Sequence, residues 1–148
     1  MQRPTTGERA TTSFAVIARA AIEKHVPESR TGSAVWRVSP GMVWVRWPRG
    51  DGSWFALGLR RHLDWVTGEA ALSREDADPE TLPLWTDPEG SRSPAGYRIR
   101  LGVLLHDEDR WWPAGTTARA LSERLHEMAL QLRVKAEPHF ARNPVPRT

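Results

Sequence analysis

The chain has 148 residues and 16.7 kDa, with 39% hydrophobic and 26% charged residues and a net charge of +3. These values fit one globular domain and argue against wholesale disorder or a second domain. Zero cysteines exclude disulfides, thiolate-held zinc, iron–sulfur clusters and thiol catalysis, and no apolar stretch nears the roughly 18 residues that span a bilayer.

Residues 1–10 are polar, hold Pro4 and Gly7, and read as a flexible arm in front of a single domain over 11–140. Thr11 or Thr12 can cap the next segment, where Phe14, Ile17, Ala18, Ala21 and Ile22 recur at helical spacing. That predicts an amphipathic helix ending near His25, because Pro27 disfavours the α conformation of the residue before it.

The period then changes from 3.6 to 2. Ala34–Val38 and Met42–Trp47 read as strands around the turn Ser39-Pro40-Gly41. Pro48–Gly52 supplies the Gly and Asp-Gly positions of a hairpin, and Ser53–Arg61 forms the third strand. Trp65–Leu72 is a fourth, with Gly68 marking a bulge. Residues 73–96 hold six carboxylates and four prolines and read as a long polar loop. Tyr97–Leu105 alternates as the clearest strand, and Arg110–Trp112 is a short last one. A helix capped by Thr116 or Thr117 carries Leu121, Leu125, Met128 and Leu132 on one stripe and stops at Pro138, leaving 141–148 as a flexible tail. Helix, meander and helix together predict an α+β fold: an antiparallel five- or six-stranded sheet with the N- and C-terminal helices on one face. Its core is expected to include Phe14, Ile17, Ile22, Phe55, Leu57, Leu59, Leu101, Val103, Leu121, Leu125 and Leu132.

Charge is unevenly distributed. Residues 1–65 carry ten basic and five acidic side chains, 66–109 four and ten, and 110–148 seven and three. Only Lys24 and Lys135 are lysine, and no long basic run marks a polyanion site.

Tryptophan is over-represented, with eight against one tyrosine and three phenylalanines. Adjacent strand residues point to opposite faces, so the strands carry more tryptophan than one buried layer can use. Trp44 and Trp54, with Arg46 and Arg60, are therefore expected on an open sheet face opposite the helices, beside the acidic loop. Aromatic side chains with arginine are the composition of a protein-interaction hot spot, and they also suit stacking on single-stranded bases. The chain lacks GxSxG, P-loop, GxGxxG and HExxH patterns. No catalytic residue, cofactor or metal is expected. His62, Asp64, His106, Asp107 and Asp109 are only a weak ligand set, and turn chemistry explains Asp107-Glu108-Asp109.

The opening helix, the hairpin "VWVRWPRGDGSWFALGL", the run "YRIRLGVLL" followed by Trp111-Trp112-Pro113, and the closing helix ending Pro138-His139-Phe140 carry a resemblance. The layout resembles a poorly characterised bacterial family of small α+β proteins of unknown function, some of whose relatives are inferred to be immunity proteins of toxin systems. The resemblance implies a non-enzymatic, immunity-like protein whose partner is another protein, such as a toxin, or a second copy of itself; a cytoplasmic location is expected from the lack of a signal-peptide pattern and of a spanning stretch. No membrane association is expected. The alternative is a nucleic-acid-binding module working through Arg and Trp side chains.

Overall fold

In the computed structural model, which describes residues 6–85 and 93–145, the first periodic segment folds as α1, Thr6–His25. It begins earlier than the capping threonines suggest, because Glu8, Arg9 and Ala10 are good helix formers. Residues 6–10 are therefore helix and not arm. Phe14, Ala18, Ala21 and Ile22 are buried on one side of α1, and Val26 continues that side into the 3-10 turn Pro27–Arg30.

Four strands follow as hairpins: β1, Val35–Ser39; β2, Met42–Pro48; β3, Trp54–His62; and β4, Trp65–Ser73. Gly52, at φ +91°, takes the left-handed position of the β2–β3 turn. Gly68 marks no bulge, since its ladder with Leu59 is continuous. A Cβ there would meet Leu132 Cδ1 at 2.6 Å, so the missing side chain lets the last helix approach the sheet.

β5 is only Gly96–Arg100, and residues 101–106 turn into a short helix, α2, Leu101–His106. This corrects the expectation of one strand to Leu105. Leu101, Leu104 and Leu105 also satisfy i, i+3, i+4 spacing, so the apolar run fits either period. Gly102 is held beneath the returning chain, where a Cβ would lie 2.4 Å from the Arg110 nitrogen. β6, Trp112–Pro113, then pairs with Trp65 and Val66, while β5 pairs with the 69–73 half of the same strand. The sheet is antiparallel and six-stranded, ordered β1-β2-β3-β4-β5 with β6 also on β4.

α3, Ala118–Arg142, is capped by Thr117, whose hydroxyl accepts from the Ala120 N–H. It passes through Pro138, contrary to the predicted stop. Pro138 and Val134, whose carbonyl loses its partner, are both on the exposed side, where water can solvate that carbonyl. Phe140, two residues further, is buried, and the Tyr97 hydroxyl donates to the Asn143 carbonyl at 2.8 Å. The chain is thus anchored past residue 141, with Val145 packed against the core.

α1 packs on β2 and β3, α3 on β3 and β4, and the two helices on each other. The fold is α+β with both long helices on one sheet face. The expected core residues are buried there except Ile17 and Val103, which are half-buried. No helix among the described residues is long and apolar enough to cross a membrane.

Candidate functional site

Strand register determines what the other sheet face carries. Arg37, Trp44, Gly58, Glu69 and Arg100 form one cross-strand row, and Val35, Arg46, Ala56, Ala71 and Arg98 the next. Arg60 lies opposite Thr67 one row away. Glu69 is fully buried at the centre of this arginine-rich face. It accepts from Arg60 Nε and Arg98 Nη1, each at 2.6 Å, and Arg100 Nε stands 3.6 Å away. Arg100 also binds Asp109 at 2.6 Å and lies over the Trp111 ring. A buried carboxylate is tolerable only with such charged donors around it.

The segment after β4 covers much of this face. Asp76 pairs with Arg46, Asp78 with Arg37, and Glu80 with Arg60. The Trp44 indole N–H donates to Glu80 at 2.8 Å. Burial alone would raise the Glu80 carboxyl; the Trp44 hydrogen bond and the Arg60 guanidinium outweigh it and hold the pKa below its usual value. Leu82 is buried against Met42, Trp44, Ala56 and Ala71, a second small core on this side of the sheet. Pro83 to Trp85 then run beside β5: Arg98 N–H donates to the Pro83 carbonyl and Trp85 N–H to the Arg98 carbonyl. Pro79–Thr81 form a 3-10 turn capped by Asp78. Residues 74–85 are therefore a strap bound to the sheet, while the predicted loop's remainder at 86–92 lies outside the described residues.

This corrects the expectation of an open aromatic face. Trp44 is 1% exposed. Arg46 and Arg60 are half-buried and ion-paired, and Trp54 is half-buried. The four predicted residues share the face, with Trp44, Arg46 and Arg60 gathered under the strap. The acidic residues of the strap, 20 to 36 positions further along the sequence, satisfy Trp44, Arg46 and Arg60 internally.

The uncovered part of the face lies at the β3–β4 turn. Trp65, opposite His62, is 49% exposed and Leu63 is 75% exposed. Leu63 occupies the left-handed region at φ +54°, where only Leu63 and Asp107 among the described non-glycine residues are found. Arg61 Nε donates to the Leu63 carbonyl at 2.9 Å, and Ala114 N–H donates to the Asp64 carbonyl at 2.8 Å, so both ends of the turn are held. Sequence reading missed Leu63 and Trp65. The available signal was a leucine at a turn tip, a place usually taken by Gly or Asn. It also missed Glu69, whose signal was a charge in the middle of an otherwise small and apolar strand.

Among the described residues no group of three or more His, Asp or Glu side chains is arranged to hold a metal ion. Searches against protein-family models, curated proteins and solved structures found no match to this chain.

Proposed function

We propose that this chain is a non-enzymatic protein-binding module, immunity-like in that it blocks or scaffolds a protein partner, and that it works through the β3–β4 turn and not through Trp44. One observation carries the reading: Leu63 is displayed to solvent from a backbone conformation that costs an L-residue roughly 1–2 kcal/mol. Strain held at an exposed apolar residue beside an exposed tryptophan is the mark of a contact site. The neighbourhood is mixed in sign, with Arg61 and Asp64 in the hairpin and Asp109 and Arg110 leading into β6. Mixed charge around an aromatic anchor suits a protein surface. The nucleic-acid alternative calls for free arginines on an open face, whereas Arg46, Arg60, Arg98 and Arg100 are bound to carboxylates.

The test uses Leu63→Gly and Trp65→Ala in calorimetric titrations against the products of the genes flanking this one. Leu63→Gly is expected to be at least as stable as the parent, because glycine relieves the left-handed strain. Each variant is expected to lose about 1–3 kcal/mol of binding. Undiminished binding by both folded variants would refute the assignment, and so would the absence of any protein ligand among those products.

A further inference from the structure

A second feature lies away from the sheet face, in the groove between α2 and the last two turns of α3. It encloses about 420 Å3, within the ~300–1,000 Å3 of small-molecule sites. Its floor is Trp85 and Ile99, and its walls are Val103 and Leu104 from α2 and Val134 from α3. These walls are incompletely covered: Val103 and Leu104 are half-buried and Val134 is 56% exposed. The cause is local, since α2 has six residues and cannot span the end of a 25-residue helix.

The charges around the groove are unlike those on the strapped face. On that face Arg37, Arg46, Arg60, Arg98 and Arg100 are all engaged by carboxylates. Lys135 and Arg142 line the groove from the same side of α3, seven positions apart, and neither has an ion-pair partner among the described residues. Asp107 stands across from them at the C-cap of α2, in the left-handed conformation, also without an ion pair among the described residues. His139 is set between them, edge-on to Trp85 with ring centroids 4.8 Å apart. Its Nε2 is buried and has no hydrogen-bond partner among the described residues. Burial first and Arg142 second lower the His139 pKa, so the ring contributes a polar atom and not a charge. An apolar slot, two unengaged cations, one opposing carboxylate and an unpaired ring nitrogen converge in one place.

We infer that this groove is a binding site for a small organic monoanion with a flat apolar body. The body lies on Trp85 and Leu104, and the acid group lies between Lys135 and Arg142. Asp107 limits the local excess to one positive charge and so disfavours polyanions. The site is independent of the partner surface proposed above.

The experiment titrates the full chain with 2-naphthoate and, separately, with its uncharged analogue 2-naphthalenemethanol, read by two-dimensional 1H–15N NMR. Naphthoate is expected to saturate and to shift amides of 99–107 and 134–142. The double variant Lys135→Glu/Arg142→Glu changes two exposed side chains and keeps the fold. It is expected to weaken naphthoate by about tenfold or more while leaving the alcohol's weaker binding unchanged. Leu104→Trp, which fills the slot, is expected to abolish both. The proposal is overturned if naphthoate does not saturate at millimolar concentration, if its shifts map elsewhere, or if the charge-reversed variant binds it as tightly as the parent.

Discussion

At the residue scale, the contact between His25 of α1 and His126 of α3 makes the helix layer sensitive to pH. His25 Nε2 lies 3.2 Å from His126 Nδ1, with the rings edge to face. One nitrogen must donate and the other accept, so at least one ring has to be neutral. Burial, the neighbouring His126 and then Lys24 lower the His25 pKa; burial and then Lys24 lower that of His126. A folded-state value below the unfolded reference means that the unfolded chain binds more protons in the window between them. The contribution of the pair is therefore complete above the ordinary histidine value of 6.5 and is lost as pH falls below it through the lowered values. Both rings are only partly buried, so solvent screening keeps the effect under about 1 kcal/mol, or roughly 2–4 °C in Tm for a chain of this length. Thermal melts at pH 7.5 and pH 5 would show it, and His126→Gln should remove that part of the acid shift. An equal shift in parent and variant would mean that the pair carries no linkage.

At the scale of elements, the strap and the sheet separate two kinds of ion pair that look alike in sequence. Glu69 is fully buried between Arg60, Arg98 and Arg100, whereas Asp76 is about half exposed where it meets Arg46. Glu69→Gln keeps the shape but leaves the half-buried Arg98 guanidinium without a carboxylate, and Arg60 and Arg100 with only Glu80 and Asp109. A loss of about 3–5 kcal/mol is expected, the cost of breaking a buried pair. Asp76→Asn is expected to cost under about 1 kcal/mol, the scale of a surface pair. Urea midpoints for the two variants would decide it, and similar values for both would contradict the burial argument. The same contrast explains what was legible beforehand. β2 and β3 were readable because Val43, Val45, Leu57 and Leu59 alternate and Asp51-Gly52 closes the hairpin. α2 was not, because Leu101, Leu104 and Leu105 fit helical spacing while Tyr97–Leu105 also alternates, and the close approach at Gly102 is to residues 108–110. The strap was not, because nothing local in Asp76, Asp78 and Glu80 reveals that β1, β2 and β3 present Arg37, Arg46 and Arg60 at matching spacings. Trp44, Arg46, Trp54 and Arg60 share a face, as their alternation along β2 and β3 implies. Their burial followed from a segment whose partners are distant in sequence.

At the scale of the whole molecule, net charge is a poor guide to the partner. A pI near 10.1 and a charge of +3 suggest affinity for polyanions. Such affinity depends on releasing counterions from several phosphates at once, which takes cations free to contact them. Here five arginines of one sheet face, Arg37, Arg46, Arg60, Arg98 and Arg100, are spent on carboxylates of the same chain. The strap is in this sense the molecule's own polyanion, seated where a nucleic acid would have to lie. The aromatic half of a single-strand site is likewise missing beneath it: Trp44 is buried with its indole N–H bound to Glu80, and Trp111 is covered by Arg100. The expectation is that a fluorescein-labelled oligothymidylate of ~20 nucleotides binds no better than the roughly 10⁻⁴–10⁻⁶ M of non-specific association at physiological salt. Anisotropy titrations at low and moderate salt should give a shallow dependence, that of one or two contacts from cations outside the strapped face. Removing the strap's charge by Asp76→Asn, Asp78→Asn and Glu80→Gln together should steepen that dependence if the strap is what neutralises the face. A steep salt slope in the unmodified chain would show instead that the arginines exchange their internal partners for phosphates, and the nucleic-acid reading would then displace the protein-binding one.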